Sequence, residues 1–114
     1  METRMTKLAR LYERYDFSAS AVIIDASGAE VPARVANISF GGCRLLTNRK
    51  LPIASDVTIK IHAVEDDFEG PAKVVHSSDT DAGVMFGNLT ADALFVLQKW
   101  IQEARYIQTM DAAE

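Results

Sequence analysis

The sequence predicts a mainly β protein, a small six-stranded antiparallel barrel followed by one C-terminal α-helix. Apolar and polar residues alternate along several short stretches separated by polar or glycine-containing turns, which is typical of half-buried strands. Near residue 90 the apolar residues begin to recur every three or four positions, which is the period of an amphipathic helix. We expect this helix to cover one end or an open edge of the barrel, because unpaired strand edges need protection.

The first two strands are predicted within residues 18–39, and the turn Ala-Ser-Gly at residues 26–28 joins them. In the second strand, Val31, Ala33 and Val35 alternate with other residues and form an apolar face. The remaining elements are predicted as strands at GGCRLLT (41–47), DVTIKIHAV (56–64), PAKVVHSS (71–78) and GVMF (83–86), an acidic connection at EDDFEG (65–70) and a turn at SDTDAG (78–83).

The C-terminal helix is predicted over residues 90–108, with Thr90 as its N-cap and Asp92 in its first turn. Trp100 lies on this helix, and we expect it to pack in the core rather than bind a ligand. The buried stripe of the helix is predicted to consist of Leu94, Leu97, Ile101 and Ala104.

A shorter helical pattern precedes the first strand. Met5, Leu8, Tyr12 and Tyr15 recur at helical spacing, although no clear start signal comes before them. The sequence therefore predicts an N-terminal arm and a single barrel-plus-helix domain, at residues 1–15 and 16–114.

Composition and charge limit the class of function. The chain has 114 residues, of which 48% are apolar and 25% charged, as expected for one globular domain. Its net charge of −4 disfavours nucleic-acid binding, which depends on many Lys and Arg contacts with phosphates. The balance is +3 over residues 1–50 and −7 over residues 51–114, which suits a small anionic ligand. An uneven spread of surface charge without function is the alternative.

The sequence also indicates a cytoplasmic protein without membrane insertion. No apolar run approaches the about 20 residues of a membrane-spanning helix. The charged N-terminal stretch lacks the apolar segment of a secretory signal. The single cysteine, Cys43, has no partner for an internal disulfide, and we expect it to be a small buried residue.

Catalytic and metal sites are not indicated. His62 and His76 lie on predicted strands without partners at metal-ligating spacing, and Cys43 has no neighbouring histidine. The carboxylates of EDDFE lack the ligand offsets of a calcium loop. We therefore expect no enzymatic activity, no metal and no cofactor.

Two short motifs flank the first two strands. The stretch RLYER places Arg10 and Arg14 four residues apart, and NISFGG places Asn37 and Ser39 two residues apart before the glycine pair 41–42. Each motif alone is weak, because paired arginines are common on solvated helix faces. In this order, and followed by AGVMF and a C-terminal helix, they resemble the PilZ family, the bacterial receptor domain for cyclic di-GMP.

The resemblance spans about residues 8–107. It implies a six-stranded PilZ-type β-barrel with a C-terminal helix, a mobile N-terminal arm and cyclic di-GMP as the ligand. Two further arginines, Arg34 and Arg44, flank the second motif and are either auxiliary phosphate contacts or plain surface residues. The ligand-binding residues that the resemblance implies are Arg10, Arg14, Asn37, Ser39, Gly41 and Gly42.

The chemistry of these residues suits cyclic di-GMP. The arginine fork can bind phosphate oxygens, bind O6 and N7 of guanine, or stack on a base. Asn37 and Ser39 share one face if the chain is extended, and their side-chain oxygens can accept hydrogen bonds from guanine N–H groups. Gly41 and Gly42 can adopt a positive φ and let the ligand approach the backbone closely.

Two functions are compatible with these observations. The first is a cyclic di-GMP receptor whose arm orders on the ligand and signals to an effector protein, in control of motility, exopolysaccharide synthesis or virulence. The alternative is a PilZ-fold protein–protein interaction module that acts independently of nucleotide. The sequence leaves open whether the protein is a monomer or a dimer and whether one or two nucleotides bind.

Overall fold

The computed structural model describes residues 13–113. Arg10, and the helical pattern of Met5, Leu8 and Tyr12, lie outside the described residues. The elements of the described part are β1 (Tyr15–Ile24), β2 (Glu30–Ile38), β3 (Gly42–Leu46), β4 (Asp56–His62), β5 (Asp67–Ser77), β6 (Asp81–Phe86) and α1 (Ala91–Ala113).

The six strands pair antiparallel in a closed barrel of order β1-β2-β3-β6-β5-β4. The predicted antiparallel barrel and C-terminal helix are therefore confirmed. Because the described strands close on themselves, α1 does not protect an open edge. The helix instead packs against β1 and β5 and buries Leu97, Trp100 and Ile101.

Alternation of apolar residues explains the strands. In β4 the side chains of Val57, Ile59 and Ile61 are buried in the barrel, whereas those between them reach the surface. The turn predicted between the first two strands is present, and Gly28 there has a φ of 91°, which favours glycine. Within the described residues, no helix is both long enough and apolar enough to cross a membrane.

Strand boundaries differ from the prediction at three places. β1 already begins at Tyr15, which is buried and pairs with Ile38, so Tyr15 belongs to the barrel and not to a helix. β6 begins at Asp81 rather than Gly83. The stretch EDDFEG is not simply a connection, because β5 begins at Asp67. Its acidic side chains point outward, while Phe68 points into the core opposite Ile61.

The helix begins as predicted, and Leu97 and Ile101 of the predicted stripe are buried, but Leu94 is not. The N–H of Ala93 donates to Oγ1 of Thr90 at 3.1 Å, which confirms the N-cap. Leu94 is 45% exposed, whereas Ala93, which is not part of the predicted stripe, is buried, and Trp100 packs in the core as predicted. The helical period permits either face, and the angle at which α1 docks on the barrel selects Ala93 and Trp100.

Candidate functional site

A cleft of about 1040 Å³ opens where β1 begins, β2 ends and β3 lies beside β6. The first turn of α1 contributes Leu94 to its wall. The predicted site residues that line this cleft are Arg14, Asn37, Ser39, Gly41, Gly42 and Arg44.

Strand pairing brings the two motifs together. β1 and β2 are antiparallel with Asp16 opposite Asn37, so Arg14, just before β1, reaches the end of β2. On the other side, Asn37 pairs with Arg44 of β3. Arg14, Asn37 and Arg44 therefore line the same cleft, and this set of side chains suits an anion attached to a hydrogen-bonding base.

The hydroxyl group of Ser39 forms its hydrogen bonds within the turn at residues 39–42. Its Oγ accepts hydrogen bonds from the N–H groups of Gly41 and Gly42, each at 3.1 Å, and lies 3.3 Å from the carbonyl oxygen of Gly42, to which it donates. The N–H of Ser39 donates to the same carbonyl oxygen at 2.8 Å. The hydroxyl is buried, and both of its lone pairs are used. In this geometry Ser39 shapes residues 39–42, the Ser39 turn, and its contact with a guanine N–H stays a prediction.

We expect Ser39→Ala to lower the stability of the protein measurably. The substitution removes the acceptor shared by two N–H groups, and loss of such partners costs about 1–3 kcal/mol. Thermal unfolding followed by circular dichroism gives the melting temperature. Ser20→Ala, at an exposed position of β1, is the matched control. Equal melting temperatures for the two variants would contradict the role given to the hydroxyl.

Gly42 is required by the barrel rather than by its dihedral freedom. A Cβ placed on Gly42 would collide with the carbonyl oxygen of Val84 on β6. Among the described glycines only Gly28 has a positive φ, so Gly41 and Gly42 do not use the dihedral freedom that glycine permits. Close backbone approach between β3 and β6, where Gly42 pairs with Met85, explains the glycine instead.

An ion pair between β3 and β6 forms part of the cleft. Nε of Arg44 donates to Oδ2 of Asp81 at 2.8 Å, and Oγ of Ser78 donates to Oδ1 at 2.6 Å. Nε2 of His76 lies 3.4 Å from the same Oδ1. The hydrogen bonds from Ser78 and Arg44 lower the pKa of Asp81, so this carboxylate stays ionised at neutral pH and its stabilising contribution is lost in acid.

The sequence did not predict that Arg44 would pair with Asp81, that His76 would lie next to Asp81, or that part of the cleft would be apolar. Asp81 and His76 lie on strands that are not consecutive with β3, so only knowledge of the barrel order would have found them. Arg34 does not line the cleft. Its Nε donates to Oγ of Ser18 at 2.9 Å on the outer face of β1 and β2, which favours the plain surface interpretation.

Cys43 and the histidines behave as ordinary residues. Cys43 is buried at the base of the cleft, as predicted, and burial raises the pKa of its thiol to about 12. His62 is exposed, and its Nδ1 lies 3.1 Å from Oδ1 of Asp67. In the part of the chain that the structure describes, no three His, Cys, Asp or Glu side chains are grouped closely enough to hold a metal ion.

We expect Cys43 to resist thiol reagents in the folded protein. Burial raises the pKa of the thiol far above pH 8, so very little reactive thiolate is present, and burial also blocks access of the reagent. Ellman's reagent should label the protein slowly in buffer and rapidly in denaturant. Rapid stoichiometric labelling of the native protein would contradict the buried position.

The described residues form a small closed β-barrel with a cleft lined in part by arginine and amide side chains. The PilZ domain family model matches residues 9–103, so the chain belongs to the PilZ family. The family resemblance suggested by the two motifs is thus confirmed. A comparison with curated protein sequences gave no match.

Solved structures of PilZ proteins have the same fold. The PilZ domain of YcgR from Escherichia coli, solved with cyclic di-GMP, has a TM-score of 0.73 at 16% identity over 92% of this chain and 98% of that one. The Bacillus subtilis inhibitor of motility, MotI/DgrA, has a TM-score of 0.68 at 20% identity over 82% of this chain. The chain spans about half the length of MotI/DgrA, since 50% of that protein is covered.

Proposed function

We propose that this protein is a non-enzymatic receptor for cyclic di-GMP that acts in the bacterial cytoplasm and signals to an effector protein. The observation that carries the proposal is that Arg14, Asn37 and Arg44 all line the same cleft. Membership of the PilZ family supports it. So does the fold shared with the PilZ domain of YcgR, which was solved with cyclic di-GMP.

The size and polarity of the cleft suit a cyclic dinucleotide. Its volume of about 1040 Å³ lies just above the range of about 300–1,000 Å³ typical of small-molecule sites, which suits a large ligand with two bases and two phosphates. Arginines supply positive charge for the phosphates, and an amide supplies hydrogen bonds for a base. The described residues of the cleft thus include groups that can bind a nucleotide. We find among them no nucleophile held by a general base, as a hydrolytic enzyme would need.

Each motif residue has a distinct role in the proposal. Arg14, together with Arg10, binds a phosphate or the O6 and N7 edge of a guanine. The side-chain oxygen of Asn37 accepts a hydrogen bond from a guanine N–H group. Arg44 remains an auxiliary phosphate contact, because its terminal nitrogens are not used by the bond from Nε to Asp81. The Ser39 turn, with Gly41 and Gly42, gives the cleft its floor.

The proposed signal is the ordering of the N-terminal arm, predicted as residues 1–15 and now ending before Tyr15, over the bound nucleotide. Arg14 directly precedes Tyr15, which is buried in the barrel core. Two residues further on, the ring of Phe17 lies 5.0 Å from that of Trp100 on α1. Contacts between the ligand and Arg14 would therefore be close to α1. If these contacts change the surface of α1, a partner that binds the helix can distinguish the protein with nucleotide from the protein without it.

Isothermal titration calorimetry with cyclic di-GMP tests the proposal. We expect saturable binding by the wild-type protein and at least about tenfold weaker binding by Arg14→Ala and by Asn37→Ala, because each loses a hydrogen bond to a charged or buried group. Arg49→Ala removes an exposed arginine outside this cleft and is the matched control. Absence of saturable binding at high micromolar ligand, or equal affinity of all three variants and wild type, would overturn the proposal.

A second candidate function is an interaction module of the same fold that acts independently of nucleotide. The exposed apolar side chains of Phe95, Tyr106 and Ile107 on α1 favour it. This function predicts that the protein retains the same partner with and without cyclic di-GMP in a pull-down. A partner that is retained only in one of the two conditions supports the receptor instead.

A further inference from the structure

The cleft has an apolar wall that the binding motifs do not explain. Phe40 is 39% exposed although it is a large aromatic residue, and Met85 and Leu94 are exposed beside it in the same cleft. Charged phosphate groups would contact the arginines and would gain nothing from apolar side chains. These side chains suit an apolar surface of the ligand, such as the flat face of a base.

The Ser39 turn holds the backbone of Phe40 in place. The two glycines after Phe40 donate to the hydroxyl of Ser39, and the carbonyl oxygen of Gly41 accepts a hydrogen bond from the N–H of Phe86 at 2.8 Å. The turn is therefore tied both to itself and to the end of β6. An aromatic ring on such an anchored turn loses little backbone freedom when a ligand binds, so its contact is pre-organised.

Phe40 lines the same cleft as Asn37, close to it in the sequence. A base whose edge is hydrogen-bonded to Asn37 leaves its flat face to be covered by a neighbouring group. Phe40 is three residues further along the same motif, and Met85 pairs with Gly42 across β3 and β6. Leu94 approaches from the first turn of α1. Stacking of bases on aromatic side chains is a common way in which proteins bind unpaired nucleotides.

We propose that Phe40 is the platform on which one guanine of cyclic di-GMP stacks and that Leu94 completes the apolar wall around this base. The inference rests on the proposed function and adds to it a specificity-determining residue. It also gives α1 a direct contact with the ligand through Leu94. The helical pattern predicts Leu94 in the core, but it is exposed in the cleft, where it would contact the bound base.

The first test compares cyclic di-GMP affinities of Phe40→Ala, Phe40→Leu and Phe40→Trp by calorimetry. We expect Phe40→Ala to bind about 5- to 150-fold more weakly, the range found when a stacking side chain is removed. Phe40→Leu keeps an apolar side chain but loses the ring, and it should also bind weakly, whereas Phe40→Trp should bind nearly as the wild type does. Because Phe40 is partly exposed, the alanine and leucine variants should stay folded, and circular dichroism verifies this.

The second test uses two adjacent residues of α1 as a matched pair. Leu94 lines the cleft and Phe95, 69% exposed, does not. Leu94→Ala should weaken binding by about threefold or more, since it removes partly buried apolar contact, whereas Phe95→Ala should leave the affinity unchanged. Equal effects of the two substitutions would overturn the contribution of Leu94.

A proton NMR spectrum of the bound nucleotide distinguishes stacking from general apolar contact. A guanine stacked on Phe40 should show an upfield ring-current shift of its H8 signal that is absent with Phe40→Leu. If the wild-type protein binds cyclic di-GMP, but Phe40→Ala binds equally well and the H8 shift is unchanged in Phe40→Leu, the stacking inference fails and the receptor function stands. If the wild-type protein does not bind at all, it is the proposed function that fails.

Discussion

Replacement of Gly42 by alanine is expected to be among the most destabilising single changes in this protein. The added Cβ would collide with the backbone carbonyl oxygen of Val84, which cannot rotate aside as a side chain can. β3 and β6 would have to separate near the pairs Gly42–Met85 and Cys43–Val84. Such overpacking costs about 3 kcal/mol at the upper end of the usual range, and we expect the melting temperature to fall by about 10–15 °C.

Gly83→Ala is the matched control for Gly42→Ala. Gly83 lies in β6 and, like Gly42, lines the cleft, but a Cβ there would be 3.5 Å from Cβ of His76, an ordinary contact distance. Thermal unfolding of the two variants separates a steric effect from the general cost of placing alanine in a strand. A melting temperature for Gly42→Ala equal to that of Gly83→Ala would mean that β3 and β6 are less closely packed than the structure indicates.

Trp100→Ala is expected to have an effect of similar or larger size. The Trp100 side chain is only 3% exposed, and its ring lies 5.0 Å from that of Phe17 and 6.3 Å from that of Phe68. Its removal leaves a cavity between α1 and the barrel, and substitutions of this kind cost about 3–5 kcal/mol. Urea unfolding followed by circular dichroism at 222 nm measures the loss without relying on tryptophan emission.

Two further variants make the Trp100 experiment specific. Trp100→Phe retains an aromatic side chain and should lose clearly less stability than Trp100→Ala. Phe95→Ala removes an exposed aromatic from the same helix and should change the free energy of unfolding by less than about 0.5 kcal/mol. An unfolding midpoint for Trp100→Ala close to that of Phe95→Ala would show that α1 contributes little to the core.

Periodicity predicted the elements well wherever one face is uniformly apolar. β4 was found because Val57, Ile59 and Ile61 alternate with polar residues without interruption. The start of β5 was missed because Asp67 and Glu69 dominate the composition of that stretch, although they alternate with the inward-pointing Phe68. Charge density thus concealed a strand whose outer face alone is acidic.

The buried face of α1 could be predicted only in part. Leu97 and Ile101 belong to every stripe that the helical period allows, and both are buried. Leu94 and Trp100 lie at the two margins of the stripe. The way α1 docks against β1 and β5 buries Trp100 and leaves Leu94 exposed. The direction of docking is a tertiary property that a single sequence does not contain.

For the cleft, the motifs predicted which residues meet but not what each one does. Asn37 and Arg14 come together because β1 and β2 are consecutive and antiparallel. The ion pair of Arg44 with Asp81 depends on β3 lying beside β6, which no local pattern indicates. A serine before two glycines is equally compatible with ligand contact and with turn formation, and only its hydrogen bonds identify Ser39 as the residue that builds the turn.

The most direct test of the central claim is a titration of the ¹⁵N-labelled full chain with cyclic di-GMP, followed by ¹H–¹⁵N NMR. We expect saturable shifts of the backbone amides of residues 39–42 and 85 and of the Asn37 side-chain amide, all of which border the cleft. The amides of residues 25–28 and 49–51 lie around the turn at the opposite end of β1 and β2 and should not move. No saturable shifts, or shifts confined to residues 25–28 and 49–51, would contradict the assignment of cyclic di-GMP to this cleft.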